Sequence, residues 1–473
     1  MKPALALLLL AVQAPALKPA APAADLPRGK VVEKVVCAAD PQESYALYLP
    51  SGYTPDRAWP ILYVLDPRSR GTLAAETFRQ GAEKYGYILA SSNNTLSDTS
   101  SDPNVQAMRA MWADTHGRLA IDGRRVYAAG FSGTVRSCCT LARAVPGTFA
   151  GIIGAGAGFP FHEPPKKGDP FVFFGTLGDK DFNYYEMMDL EPRLREAGIT
   201  HRIEIFDGVH QWPPAELATR ALGWMEIQAM KAATLPKDPG VIAELWGQTL
   251  GHARAAEAAG DFFQAHRWYV GAAEDFAGLR DTSEAAAKAA ALAANPALQR
   301  EWKEREARLK HDKEMLAQAP GILAGAVNPG GDPTTVSRVV AALKIPELRA
   351  RAKSAPEADE RLSAQRVLNT LGVQTGYYLP QSFNEKKQWD RSIFVLSIAA
   401  EISPEKPAVW YNRAEAYAHQ GDRKRALADL RQAIDTGWKD LDSLQQNEAF
   451  APLRQDPEYQ RLTAALEPRK PNP

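Results

Sequence analysis

One run constrains this chain more than any other: Arg125-Val126-Tyr127-Ala128-Ala129-Gly130-Phe131-Ser132-Gly133-Thr134. An apolar stretch able to form a strand leads into Gly-x-Ser-Gly, and a helix-compatible stretch follows. A serine on so sharp a strand-to-helix turn holds a strained backbone, so its neighbours must be small. The turn lifts the hydroxyl above a sheet, near a helix N-terminus. Gly-x-Ser-Gly alone arises often by chance; its place after an apolar strand, in the middle of a series of strands, gives it weight. Thr134 departs from Gly-x-Ser-x-Gly at the last position, and a side chain there can crowd the turn.

The surrounding sequence supplies that series. Strands are predicted over Val31–Ala38, Ser44–Leu49, Ile61–Asp66, Tyr87–Ser91, Val126–Phe131, Gly151–Gly154, Phe171–Gly175 and Arg202–Phe206. The later ones are mostly unbroken apolar runs, as in strands buried on both faces. Helical stretches such as Val105–Ala120 and Gly133–Ala144 separate them, which implies crossover connections and a largely parallel sheet. The first two strands, close in sequence, can pair as an antiparallel edge. The fold class expected for residues 31–235 is therefore α/β.

A serine hydroxyl is a poor nucleophile at neutral pH and needs a base. Of the eight histidines, His210 stands in a loop just past the last predicted strand, on the side of the sheet where Ser132 would sit. An imidazole base needs an acid to fix its tautomer. The strand ending at Gly175 runs into Thr176-Leu177-Gly178-Asp179-Lys180-Asp181-Phe182-Asn183, and either aspartate can reach His210. The order Ser132, aspartate, His210 is the α/β-hydrolase order.

Residues 31–230 thus resemble an α/β-hydrolase of the secreted esterase type, akin to polyhydroxybutyrate-depolymerase-like and feruloyl-esterase-like proteins. The residues that carry the resemblance are Arg125–Gly133, the Asp179 loop, and Gly208-Val209-His210-Gln211-Trp212-Pro213. The resemblance implies hydrolysis of carboxylic esters, small or polymeric, through an acyl-enzyme and without a cofactor or metal. Related hydrolases often read Asp-x-x-Val-Pro in the acid loop, which favours Asp179 as the acid over Asp181, with Phe182 packing the loop down. Against this, Gly178-x-x-Asp181 resembles the Gly-x-x-Asp form. An oxyanion hole needs two donors. One is the N–H of Gly133. The other is expected from the loop after the third strand, where Pro67 has no N–H and Arg68 or Ser69 remains. Arg68 or Arg70 is also placed to attract an anionic substrate group, or else is a solvated or structural arginine.

From about Pro236 the texture changes to Ala, Glu, Arg, Leu and Gln with few strand-like runs. Leu235-Pro236-Lys237-Asp238-Pro239-Gly240 reads as a linker, so an all-α domain over 241–466 is expected to fold alone from about Val241. Trp410-x6-Tyr417-x3-Gly421-x4-Ala426-x3-Leu430-x2-Ala433 is similar to the tetratricopeptide repeat. Ser392, Leu396 and Ala399 recur 34 positions earlier, Pro404 closes the unit, and Gly260, Ala265, Tyr269 and Ala272 repeat the offsets. Arg413 and Ala414 stand where the consensus has leucine and glycine. The resemblance implies a protein or peptide partner on the helices.

Charge and cysteines narrow the rest. Lys+Arg and Asp+Glu are both 56, so no net charge draws the chain to nucleic acid. Cys37, Cys138 and Cys139 fit no zinc spacing and allow at most one disulfide, Cys37 with Cys138 or Cys139. Residues 1–23 read as a secretory signal: Lys2, the apolar run Ala4–Val12, then small-residue cleavage sites. No stretch reaches the ~20 residues of a membrane span. The expectation is an exported, extracytoplasmic serine esterase with a helical-repeat domain. The competing reading is a catalytically inactive hydrolase-fold scaffold whose repeats bind a partner.

Overall fold

The computed structural model describes residues 26–98, 103–327 and 335–466. The signal-like segment 1–23 lies outside the described residues. Packing divides the chain into two units, one up to Glu306 and one from Ala307 on.

The first unit is built on eight strands: β1 (Val31–Cys37), β2 (Asp40–Tyr48), β3 (Trp59–Leu65), β4 (Ile88–Ser92), β5 (Ile121–Phe131), β6 (Gly151–Ala155), β7 (Val172–Gly178) and β8 (His201–Phe206). Between and after them run α1 (Gly71–Tyr85), α2 (Asn104–Arg118), α3 (Gly133–Ala144), α4 (Tyr184–Glu196) and α5 (Ala215–Lys231). The sheet order is β1-β2-β4-β3-β5-β6-β7-β8. β2 is antiparallel to both β1 and β4, and every pair from β4–β3 to β7–β8 is parallel. The expected antiparallel edge is there, and the parallel strands put their carboxyl ends on one side.

Alternation along β6 shows the two covered faces. A Cβ at Gly151 would meet the Met225 sulfur of α5 at 2.7 Å, whereas one at Gly154, three residues on, would meet Val135 of α3 at 2.9 Å. Residues an odd number apart in a strand point to opposite faces, so α5 and α3 flank the sheet on its two sides. On the α5 side, Phe78 and Ala82 of α1 and Leu217, Leu222 and Trp224 of α5 form one core with Tyr87, Tyr127 and Phe174. β3, at the sheet centre, is buried at all seven positions, as an unbroken apolar strand requires.

The first unit does not stop at the linker-like Leu235–Gly240 segment. Asp238 caps α6 (Pro239–Ala258), its carboxylate accepting from Gly240 and Val241 N–H, with Pro239 in the first turn. The proline and glycine that read as a break are a helix start. α6, α7 (Phe262–Asp275) and α8 (Ser283–Ala293) share a core with Ile227 and Met230 of α5 through Ile242, Leu245, Trp246, Tyr269 and Phe276. The packing boundary therefore falls near residue 306, inside α9 (Pro296–Val327), and not at Pro236–Gly240.

The second unit is all helical among its described residues. α10 (Val336–Ala342), α11 (Ile345–Ser354) and α12 (Ala358–Val373) lead through a π-helical turn at Gln374–Tyr378 into α13 (Leu379–Glu385). Then come α14 (Trp389–Ile402), α15 (Pro407–His419), α16 (Arg423–Asp435), α17 (Leu441–Gln446) and α18 (Pro457–Ala464). Tyr411, Ala414 and Tyr417 of α15 pack on Ala426, Leu430 and Ala433 of α16. Arg413 is tolerated where a leucine was expected because Asp429 of α16 takes it in a two-point ion pair, 2.7 and 2.8 Å. The α15–α16 turn has Gly421 at φ +78° followed by Asp422, whose carboxylate caps α16. The α6–α7 turn in the first unit is built the same way, with Gly260 at φ +77° and Asp261 capping α7.

Cys37, Cys138 and Cys139 are all buried and unpaired, so the conjectured disulfide is absent. Among the described residues no helix is long and apolar enough to cross a membrane.

Candidate active site

Ser132 sits where β5 ends and α3 begins, at φ 55° and ψ −130°. Positive φ in a non-glycine residue costs about 1–3 kcal/mol and persists only where the surroundings impose it. Here they do. Ser132 N–H donates to Ala155 O of β6 at 2.8 Å, and its own carbonyl accepts from Val135 N at 3.1 Å. Gly130 must be glycine, since a Cβ would lie 2.6 Å from Val135 N. Thr134 does not crowd the turn. It is fully buried, its hydroxyl 2.6 Å from Leu65 O of β3 and 2.8 Å from Phe131 O, and it accepts from Phe131 N at 3.0 Å. The missing glycine is replaced by a hydroxyl that staples the turn to the neighbouring strand.

His210 lies in the loop after β8, its ring between Phe131 at 4.6 Å and Phe182 at 4.1 Å between centroids. Phe131 immediately precedes Ser132, so the histidine loop adjoins the serine turn. Nδ1 of His210 is 2.8 and 2.9 Å from the two carboxylate oxygens of Asp181. Asp181 is fully buried, while the His210 side chain keeps 15% of its surface exposed. Gly156, at φ +64°, runs past this pair; a Cβ there would stand 2.9 Å from Asp181 Oδ2 and 3.0 Å from the ring.

The expectation that Asp179 is the partner of His210 is thereby corrected. At Asp179 the chain still pairs with β8, its N–H donating to Phe206 O at 2.8 Å, and its carboxylate accepts from Gly208 N at 3.0 Å. The chain turns two residues later, where Asp181 N–H donates to Gly178 O at 3.1 Å. That turn carries the Asp181 carboxylate to the imidazole. Asn183 N–H donates to the same carboxylate at 2.8 Å.

The loop after β3 also departs from expectation. Asp66, fully buried, accepts from Arg68 N at 2.8 Å and from Arg70 N at 3.3 Å, and takes the Arg70 guanidinium at 3.0 and 2.9 Å. Ser69 N–H donates to Thr95 O at 2.9 Å. The Arg68 amide assigned to the oxyanion hole is thus already engaged, and Arg70 is bound to Asp66 rather than free for a substrate anion. Asp66 also accepts from the indole N–H of Trp212 at 2.8 Å, tying this loop to the histidine loop. Nothing in the sequence singles out Asp66.

Two further groups escape a reading of the sequence. Glu186, in the first turn of α4, receives Arg136 of α3 at 2.8 and 2.7 Å. Burial raises its carboxyl above the ordinary value, Arg136 opposes the shift, and Asp181 adds to it. Ser97, after β4, lies against Gly133: a Cβ at Gly133 would be 2.6 Å from Ser97 Cβ.

The strand order, the parallel crossovers and the strained serine between β5 and α3 define an α/β-hydrolase fold. Three solved structures similar to it can be given. One is an S-formylglutathione hydrolase of Staphylococcus aureus without ligand: 13% identity over 42% of this chain and 98% of that one, TM-score 0.33. Another is the fluorophosphonate-binding serine hydrolase F of Staphylococcus aureus with substrate bound: 13% identity, 42% and 99%, TM-score 0.35. The third is a ferulic acid esterase: 14% identity, 41% and 96%, TM-score 0.34. No protein-family model matches the chain, and no curated protein does.

Proposed function

We propose that the protein is a serine hydrolase that cleaves carboxylic esters. The observation that carries this reading is the buried Asp181 paired with His210 Nδ1 beside the strained Ser132. Asp181 holds the imidazole with its proton on Nδ1, which leaves Nε2 free as a base. Nε2 takes the Ser132 proton as Oγ attacks the ester carbonyl carbon. The tetrahedral oxyanion collapses, the alcohol leaves with the proton from His210, and water, activated by the same imidazole, releases the acid from the acyl-enzyme.

A fluorophosphonate probe tests the reading. Wild-type protein should be labelled on Ser132, and Ser132→Ala should lose both labelling and hydrolysis. Turnover of a short-chain ester should fall by about 10³-fold or more, the residue being what binding and oxyanion stabilisation still supply. A Ser132→Ala protein retaining about a tenth of wild-type turnover would put the nucleophile elsewhere. The inactive-scaffold alternative rests on the engaged amides of the Arg68 loop, and an unlabelled wild-type protein would favour it.

Export to an extracytoplasmic compartment belongs to the same proposal, supported by the signal-like residues 1–23. The helical second unit is proposed to bind a protein or peptide. The Gly421-Asp422 turn and the 34-residue offset between the starts of α14 and α16 (389 and 423) support a tetratricopeptide-like design there, and the Gly260-Asp261 turn of the first unit has the same form.

A further inference from the structure

We propose that the hydroxyl of Ser97, and not a backbone amide of the Arg68 loop, is the second donor of the oxyanion hole; this rests on Ser132 being the nucleophile. A tetrahedral intermediate needs donors fixed in advance beside the nucleophile. Gly133 N–H is one. The amides of Arg68, Ser69 and Arg70 point instead at Asp66 and Thr95 O, at 2.8, 2.9 and 3.3 Å. Turning Arg68 or Arg70 outward would break the Asp66 network that also holds Trp212.

Ser97 stands where a replacement is needed. Its Cβ and Oγ would be 2.6 and 3.1 Å from a Cβ on Gly133, so only a glycine fits after the nucleophile, and the hydroxyl lies alongside the residue that follows Ser132. The backbone under Ser97 is pinned. Its N–H donates to Pro67 O at 3.1 Å. The residue before it, Leu96, has both backbone groups held at 2.9 Å by the buried amide of Asn104, which also reaches Ser137 Oγ of α3 at 3.0 Å. The hydroxyl itself is uncommitted: its one hydrogen bond among the described residues is a long 3.3 Å contact to the exposed Asp98. Rotation toward an oxyanion therefore sacrifices little.

The test uses the full chain, p-nitrophenyl acetate, and the fluorophosphonate probe. Ser97→Ala should lower kcat by about 10²–10³-fold and slow phosphonylation of Ser132, with KM nearly unchanged, because the donor acts only on the developing charge. Ser97→Thr, which keeps the hydroxyl, should recover most of the loss, and both variants should melt as the wild type does. If wild-type Ser132 labels but Ser97→Ala keeps kcat within about threefold, the assignment is wrong. It is equally overturned if Ser97→Thr is no better than Ser97→Ala. A wild-type protein that neither labels nor hydrolyses would instead remove the Ser132 reading, and this assignment with it.

Discussion

At the scale of single residues, the Ser132 turn was legible and the aspartate that meets His210 was not. Ser132 announces itself because the turn demands glycine at Gly130 and tolerates only small or well-bonded neighbours, and that demand is written in consecutive letters. Asp179 and Asp181 carry no such mark. They differ only in whether β7 is still pairing with β8, which depends on where Phe206 and Gly208 fall across the sheet. The Arg68 amide was misread for a related reason, since its capture by Asp66 is a side-chain event. The geometry makes a sharp prediction here. Asp181→Asn should lower turnover by about 10⁴-fold, through the wrong imidazole tautomer. Asp179→Asn, which touches the Gly208 N contact and the Lys180 pair but not the His210 ring, should cost less than about tenfold. Steady-state kinetics of the two variants on one ester decides between them; equal losses would show that the acid loop acts as a single unit.

At the scale of elements, all eight expected strands are present, although β2 and β5 begin earlier, at Asp40 and Ile121; β3, β4 and β6, buried along their whole length, had little choice of composition. What the sequence hid is how helices brace the site. α3 and α4 follow Ser132 and Asp181, and Arg136 joins them through Glu186. The Arg136 and Glu186 side chains are 19% and 23% exposed, so this is a mostly buried pair, and Arg136 Nε is buried without a hydrogen-bond partner. Removing one partner of a buried pair costs about 3–5 kcal/mol; partial exposure reduces that to about 1–3 here. Arg136→Leu should therefore destabilise by that amount at neutral pH. The sign of the pH dependence follows from the raised Glu186 carboxyl. A carboxyl raised in the fold favours the protonated form, so its contribution is full below the ordinary value of about 4.3 and is lost as pH rises through the folded value. Glu186→Gln should flatten that loss. Arg136→Leu should move it to higher pH, because the guanidinium that most opposes the shift is gone, leaving only the Gly158 N–H and His210 against it. Urea midpoints from acid to neutral pH measure both; parallel profiles for the three proteins would refute the brace.

At the scale of the whole molecule, the composition shift and the packing boundary do not coincide. Composition changes near Leu235, just past α5, because among the described residues no strand follows β8. Packing follows shared cores instead, and the core of α6, α7 and α8 is continuous with α5. Gly223 of α5 shows how close the contact is, since a Cβ there would lie 2.9 Å from Leu245 of α6. Asp275 of α7 reinforces it, pairing with Arg202 of β8 at 2.7 Å and accepting from Trp224 of α5 at 2.8 Å. Exposing a buried large apolar side chain costs about 1.5–3 kcal/mol. Ile227, Met230 and Trp224, each no more than 5% exposed, all lean on this layer. Their combined loss, about 5 kcal/mol or more, is comparable to the whole stability of a typical domain. A chain ending at Leu235 should therefore fail to melt cooperatively and should bind hydrophobic dyes. A chain ending at Glu306 keeps the shared core and should melt cooperatively and react with a fluorophosphonate at Ser132. If the shorter chain melts as sharply as the longer one, α6–α8 are an appendage and the hydrolase fold stands without them.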